Sequence, residues 1–168
     1  MSTDERDRDA ALAEVARLRD GERLEEAREL LLGLSAAHPD DGGIAYVTAC
    51  VHDRMGLEAE AVGFYERALR GGGLDDEDRR GALLGLGSTL RVLGRYEEAV
   101  ATLRAGVARH PDDGGLRTFL AMALYNTGGH HEAMGELLTL LAATSSDPSV
   151  REYRRAIEFY ARDLDATQ

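Results

Sequence analysis

His130-His131-Glu132 is where metal chemistry is easiest to imagine in this chain, since two imidazoles beside a carboxylate begin the pattern of a zinc-protease helix. That pattern needs its second histidine one turn further on, where the chain has Gly135. Adjacent histidines on a helix also diverge by about 100° and do not converge on one ion. Gly85-Leu86-Gly87-Ser88 has the glycines of a phosphate loop, but no strand precedes it and no Gly-Lys-Ser/Thr follows. Cys50 is the only cysteine, which excludes an intrachain disulfide and a thiolate zinc cage within one chain. Its apolar neighbours mark it as a buried small hydrophobe. No Ser/His/Asp or paired-carboxylate arrangement stands out among 31 acidic residues. The residues therefore predict a protein that is not an enzyme, with no catalytic residue, no metal and no cofactor.

Composition narrows the partners. The formal charge is −11, from 31 acidic against 20 basic residues, and every basic residue is arginine. Nucleic acid and anionic membrane both require a cationic footprint, so neither is an expected partner. No apolar stretch reaches the ~20 residues of a membrane span. The opening Met1-Ser2-Thr3-Asp4-Glu5-Arg6 is charged and lacks the apolar core of a secretory signal, so a cytoplasmic location is expected.

The elements that would position any site repeat. His-Pro-Asp-Asp-Gly-Gly occurs at 38–43 and again at 110–115, an offset of 72 (110 − 38). Two copies at a fixed offset indicate internal repetition with a unit of about 36 residues. Gly56, Gly94 and Gly128 each close an apolar-periodic segment and are followed five residues on by Ala61, Ala99 and Ala133. The periodicity predicts helices over about 4–20, 24–37, 43–55, 57–70, 76–93, 95–109, 114–127, 130–143 and 148–164. Leu12, Val15, Ala16 and Leu18 face inward on the first; Ala27, Leu30, Leu31 and Leu34 do so on the second. Gly21 supplies the left-handed residue between them, and Asp40 or Asp41 caps the third helix. On the last helix Val150, Tyr153, Ile157, Tyr160 and Leu164 form the buried stripe, behind an Asp147 cap and Pro148. Gly33, Gly63, Gly85, Gly106 and Gly135 fall within helices, at about 1 kcal/mol each relative to alanine.

Leu86-Gly87, Leu90, Gly94-Arg95-Tyr96-Glu97-Glu98-Ala99, Leu103 and Pro111 resemble a tetratricopeptide repeat. Segments 42–75 and 114–147 match less completely, and 8–41 matches if one extra residue is allowed between Gly21 and Ala27. Asp78 to Gly87 and Tyr153 to Ala161 are similar to a subfamily of small bacterial tetratricopeptide proteins. The resemblance implies an all-α fold: a right-handed superhelix of four helical hairpins (8–41, 42–79, 80–113, 114–147). A flexible acidic tail at 1–7 and a capping helix at 148–168 would flank it.

In such arrays the first helix of each hairpin lines a concave groove, so the resemblance implies a protein or peptide partner there. The outward residues are Tyr46, Cys50, Asp53 and Arg54, then Leu84, Ser88, Arg91 and Val92, then Thr118, Met122, Tyr125 and Asn126. Cys50 and Val92 are expected to pack one repeat on the next. Tyr46, Arg54, Leu84, Ser88, Arg91, Thr118, Met122, Tyr125 and Asn126 remain as the peptide-binding set. Arg54 and Arg91 within an acidic whole predict a ligand with acidic residues flanking apolar ones. Chaperone-adaptor members clamp a terminal carboxylate with Lys and Asn; Tyr46 and Cys50 stand in those places, so that clamp does not transfer. Gly43, Gly81 and Gly115 either leave room for a ligand at the groove mouth or make tight helix entrances. The alternatives are a self-associating scaffold, a homodimer formed through Phe159 beside Arg155 and Arg162, and a regulatory subunit of a separately encoded enzyme.

Overall fold

The structure, a computed structural model, describes residues 3–167 and the side chains of residues 6–167. Its helices are α1 (Thr3–Asp20), α2 (Leu24–Ala37), α3 (Gly42–Arg54), α4 (Glu58–Arg70), α5 (Asp76–Val92), α6 (Tyr96–Arg109), α7 (Gly114–Asn126), α8 (His130–Thr144), α9 (Pro148–Glu152) and α10 (Arg154–Tyr160). Among the described residues there is no strand, only an isolated bridge between Asp41 and Gly72. The helix α1 begins at Thr3, inside the stretch 1–7 expected as a tail; Met1 and Ser2 lie outside the described residues.

The chain forms two compact units, Met1–Leu93 and Gly94–Gln168. In the first, each helix from α1 to α5 packs on the next. Val15 and Leu18 of α1, Ala27 and Leu31 of α2 and Val51 of α3 make one core cluster, ringed by Leu12, Leu30, Leu34, Val47 and Met55. Burying an aliphatic side chain of this size is worth about 1.5–3 kcal/mol, which is why the 3.6-residue stripe decides these helices. Ala16 is exposed, contrary to expectation, because the face toward α2 is already filled by Val15 and Leu18. In the second unit α6 packs on α7 and α7 on α8, and α8 receives α10.

Local chemistry sets the joints. Gly56, Gly94 and Gly128 turn their chain with φ of 72°, 76° and 82°, conformations that cost a side chain free energy and cost glycine almost none. Between α1 and α2 the left-handed residue is Glu22 (φ 55°) and not Gly21. Glu22 lies five residues before Ala27, the same offset that separates Gly56 from Ala61. The first hairpin therefore keeps the register of the others without an extra residue, and hairpin register has overridden the intrinsic preference of Gly21.

The two hexapeptide loops adopt one conformation. His38 has φ −126° and ψ 68°, and His110 −128° and 69°; Asp41 has −78° and 106°, and Asp113 −76° and 106°. In each, the Asp side chain accepts from the N–H three residues on, Ile44 at 2.9 Å and Leu116 at 2.7 Å, and so caps the next helix.

The C-terminal segment departs from the expected single helix over 148–164. It is two short helices broken at Tyr153 (φ −95°, ψ 10°), with Asp147 capping the first through Ser149 and Val150 N–H. No residue of α9 or α10 is buried: Val150, Ile157 and Leu164 are half-buried, whereas Tyr153 is 61% and Tyr160 40% exposed. Only α10 docks on α8, where Gly135 lets the Ala161 carbonyl approach. Packing rewards half the segment, and a short helix without packing is marginal.

Candidate peptide-binding surface

In the first unit α3 presents Tyr46, Cys50 and Asp53 about one turn apart, against α5. The ring of Tyr46 occupies the space above Gly81, where a Cβ would collide with its hydroxyl. The ring of Tyr65, from α4, does the same at Gly85, where a Cβ would lie 2.5 Å from its Cζ. The two glycines are thus one turn apart on α5 and serve as seats for two tyrosines whose centroids are 6.4 Å apart. Of the two readings of Gly81, room for a ligand or close packing, this space is taken by Tyr46.

Asp53 sits at the centre of this face. Tyr65 donates its phenolic proton to Oδ2 at 2.7 Å, and the Thr89 hydroxyl lies 2.9 and 3.0 Å from the two carboxylate oxygens. Thr89 Oγ1 is also 2.8 Å from the Gly85 carbonyl, so one proton serves three acceptors. Burial pushes the Asp53 carboxyl above its ordinary range, and the Tyr65 and Thr89 hydrogen bonds oppose this only in part. Burial likewise raises the Cys50 thiol and drives the Tyr46 phenol up to about 12. Tyr65 is raised by burial and by its neighbours Cys50 and Asp53. The half-buried Cys50 thiol packs beside the Tyr65 hydroxyl, 3.9 Å away.

The other residues expected on this face have separate fates. Arg54 ion-pairs with Glu22 (Nη2 to Oε1, 2.7 Å), so its charge is matched within the chain. Leu84, Ser88 and Arg91 of α5 are half-buried, while Val92 is 61% exposed and packs less than expected, being the last residue of its helix. Arg19 of α1 joins the face although nothing in the sequence pattern marks it: its Nε is buried without a hydrogen-bond partner, and its charge acts on the Cys50 thiol. Tyr65 and Thr89 likewise escape the sequence reading. The signal for both is the Gly81/Gly85 pair, since two glycines one turn apart inside a helix need bulky neighbours to justify them.

In the second unit the face of α7 is more open. Met122 is 36% and Tyr125 65% exposed, whereas Leu116, Leu120 and Leu124 on the same helix are buried. The Tyr125 ring leans on His130 at 4.9 Å and 53°. Asn126 is half-buried, and Thr118 spends its hydroxyl proton on the Gly114 carbonyl at 2.6 Å. Arg117 to Glu136 (2.9 Å) ties α7 to α8, and Arg104 to Glu132 (2.7 Å) ties α6 to α8. His130 thus faces an aromatic ring, while His131 pairs with Asp165 at 3.2 Å. The two imidazoles take different partners, as adjacent helical positions require. Phe159 is 50% exposed, and Arg155 and Arg162 are exposed.

Successive antiparallel helices of 13 to 18 residues, turned by left-handed residues five positions before a buried alanine, define a helical-hairpin repeat protein. The family profile described as Tetratrico peptide repeat matches residues 42–164. The chain belongs to the tetratricopeptide repeat family. Among solved structures it is similar to "MamA 41-end from Desulfovibrio magneticus RS-1", at 18% identity and TM-score 0.67, over 95% of this chain and 97% of that one. A second MamA structure, "MamA RS-1 ArsTM double mutant", gives 18% and 0.68 over the same shares. "YrrB: a TPR protein with an unusual peptide-binding site" gives 20% and 0.63, over 92% of this chain and 84% of that one. No curated protein matches the sequence. At these identities the likeness shows the all-α repeat fold, and membership of the family makes the chain a protein–protein interaction module. Among the described residues no helix is long and apolar enough to cross a membrane.

Proposed function

We propose that the chain binds an apolar peptide segment with acidic flanks on the faces of its first-of-pair helices. The observation that carries this reading is the exposure of Met122 and Tyr125 on α7, beside the buried Leu120 and Leu124. A methionine and a tyrosine left open on a helix whose leucines and alanines are buried, with Phe119 half-buried, are typical contact residues. YrrB, a TPR protein with an unusual peptide-binding site, supports the same use of a shared fold. In the first unit Arg19, Leu84, Ser88 and Arg91 supply the corresponding surface, and Tyr46 and Asp53 hold its helices together. Arg19 is the guanidinium best placed to read a carboxylate, because Arg54 is already engaged by Glu22.

Selection of a displayed dodecapeptide library on the full chain tests this, followed by titration of labelled winners. Met122→Ala and Tyr125→Ala are each expected to weaken binding by tenfold or more, about 1.4 kcal/mol. Arg19→Ala should weaken only peptides that carry an aspartate or glutamate. Leu141→Ala, on the exposed side of α8, should leave affinity unchanged. Winners that bind the Met122, Tyr125 and Arg19 variants as they bind the wild type would remove these faces from the argument.

A further inference from the structure

We propose that α8 docks a helix of another protein on the stripe Met134, Leu137 and Leu141, where a further hairpin of the repeat would stack. Repeat register identifies the face. Ala61, Ala99 and Ala133 are equivalent residues of α4, α6 and α8. One, four and eight residues beyond them stand Val62, Tyr65 and Leu69, then Val100, Leu103 and Val107, then Met134, Leu137 and Leu141. The spacing i, i+3, i+7 keeps each set on one side of its helix. α5 packs on α4 and α7 on α6. There Val62 and Tyr65 are 5% and 3% exposed, Val100 and Leu103 6% and 0%, and Leu69 and Val107 are half-buried. On α8 Met134, Leu137 and Leu141 are 48%, 39% and 42% exposed. The C-terminal segment leaves this face open, since it docks at Gly135, about 100° further round the helix than Met134.

The covered copies of the face state what fits it. Each is closed by the first helix of the following hairpin, and the Tyr65 ring lies where a Cβ on Gly85 of α5 would be. Those covering helices bury Ala82, Leu86 and Thr89 on α5, and Leu116, Leu120 and Ala123 on α7. The occupant of the α8 face is therefore a helix with uncharged, small or aliphatic residues at i, i+4 and i+7. The stripe itself carries no charge, so its ligand differs from the acidic-flanked segment proposed for the first-of-pair helices. A second copy has no such helix to offer. Its α3, α5 and α7 are already packed on α2, α4 and α6. Counting back twelve residues from Glu22 and from Gly128, its α1 has Ala10, Glu14 and Arg17 where α7 has Leu116, Leu120 and Ala123. Glu14 and Arg17 form an ion pair, and burying that pair against an apolar stripe is unfavourable.

The probe is a fluorescein-labelled peptide of residues 113–126, the sequence whose helix packs on α6. A helix this short is marginal in water. In the peptide, Thr118→Glu and Met122→Lys joined as a lactam hold it helical on the side away from Leu116 and Leu120. Fluorescence anisotropy with the full chain should saturate below about 1 mM. Leu137→Asp in the chain should weaken binding tenfold or more, and Leu137→Ala by a smaller factor. Ala143→Ser, exposed on the opposite side of α8, should leave it unchanged. Leu120→Asp in the peptide should abolish binding. Circular dichroism checks that each variant of the chain is helical. No saturation, equal binding by the wild type and Leu137→Asp, or equal binding of the Leu120→Asp peptide would each overturn the proposal. So would sedimentation equilibrium that shows a wild-type dimer which Leu137→Asp dissociates, because a second copy would then fill the face.

Discussion

Glu22 holds a backbone conformation that glycine holds at 56, 94 and 128. A left-handed non-glycine residue costs on the order of 1 kcal/mol or more, which the exposed pair with Arg54, worth about 0–1 kcal/mol, offsets at best. Glu22→Gly should therefore be more stable than Glu22→Ala, which loses the same ion pair and keeps the strain. Chemical denaturation should separate the two by about 1 kcal/mol; equal midpoints would mean that the turn is unstrained. Asp53 carries a second residue-scale consequence. Its carboxyl titrates higher in the fold than in the open chain, since burial disfavours the charge. The ionised form therefore costs stability at neutral pH, and that cost disappears as pH falls through the folded value. Asp41 has the opposite sign. Burial pushes it up, but the Ile44 N–H and Arg8, 2.7 Å away, together bring it below its ordinary range, so its contribution is lost only in stronger acid. Between about pH 7 and pH 4 the wild type should gain stability relative to Asp53→Asn. Parallel curves of urea midpoint against pH would contradict this.

At the scale of the element, one substitution should change sign along the chain. Gly63 of α4 and Gly85 of α5 are both helical, and alanine is favoured over glycine by about 1 kcal/mol in a helix. A Cβ at Gly63 meets nothing within 4 Å, so Gly63→Ala should stabilise by up to about that amount. A Cβ at Gly85 meets the Tyr65 ring at 2.5 Å and must displace it, so Gly85→Ala should destabilise by about 1–3 kcal/mol. Thermal unfolding of the two variants beside the wild type checks both; the same sign for each would show that packing does not decide these positions. Gly135 stands where Gly63 does in its own hairpin, yet it admits the Ala161 carbonyl at what would be 2.7 Å from its Cβ. Equivalent glycines in a repeat thus have unlike reasons, set by what packs on each helix.

Across the whole chain, the fold is far more legible in the sequence than the surface. Helix positions follow from stripes such as Ala27 and Leu31, because burial energy is large and its period is fixed by backbone geometry. The joints follow from Gly56, Gly94, Gly128, Asp41 and Asp113, whose side-chain chemistry is local. Arg54 has the type and position of a ligand group but is engaged by Glu22, a residue 32 positions away that no periodicity announces. The break at Tyr153 is equally hidden, since it depends on how much of the segment finds a surface to pack on. Tyr65 and Thr89 belong to the Asp53 cluster through contacts that only the assembled helices create. The paired hexapeptide loops carry one more implication. Gly42 is wedged against the Gly72 carbonyl, where a Cβ would stand 2.7 Å away, while Gly114 has only Leu140 nearby at 3.4 Å. The same angles at the histidine and the capping aspartate arise in both settings, although Asp41 also meets Arg8 and Gly42 also bonds Gly72. His-Pro-Asp-Asp-Gly-Gly is in that sense a transplantable hinge pin, a ready-made connector with which an engineer could splice further hairpins into an array of this kind.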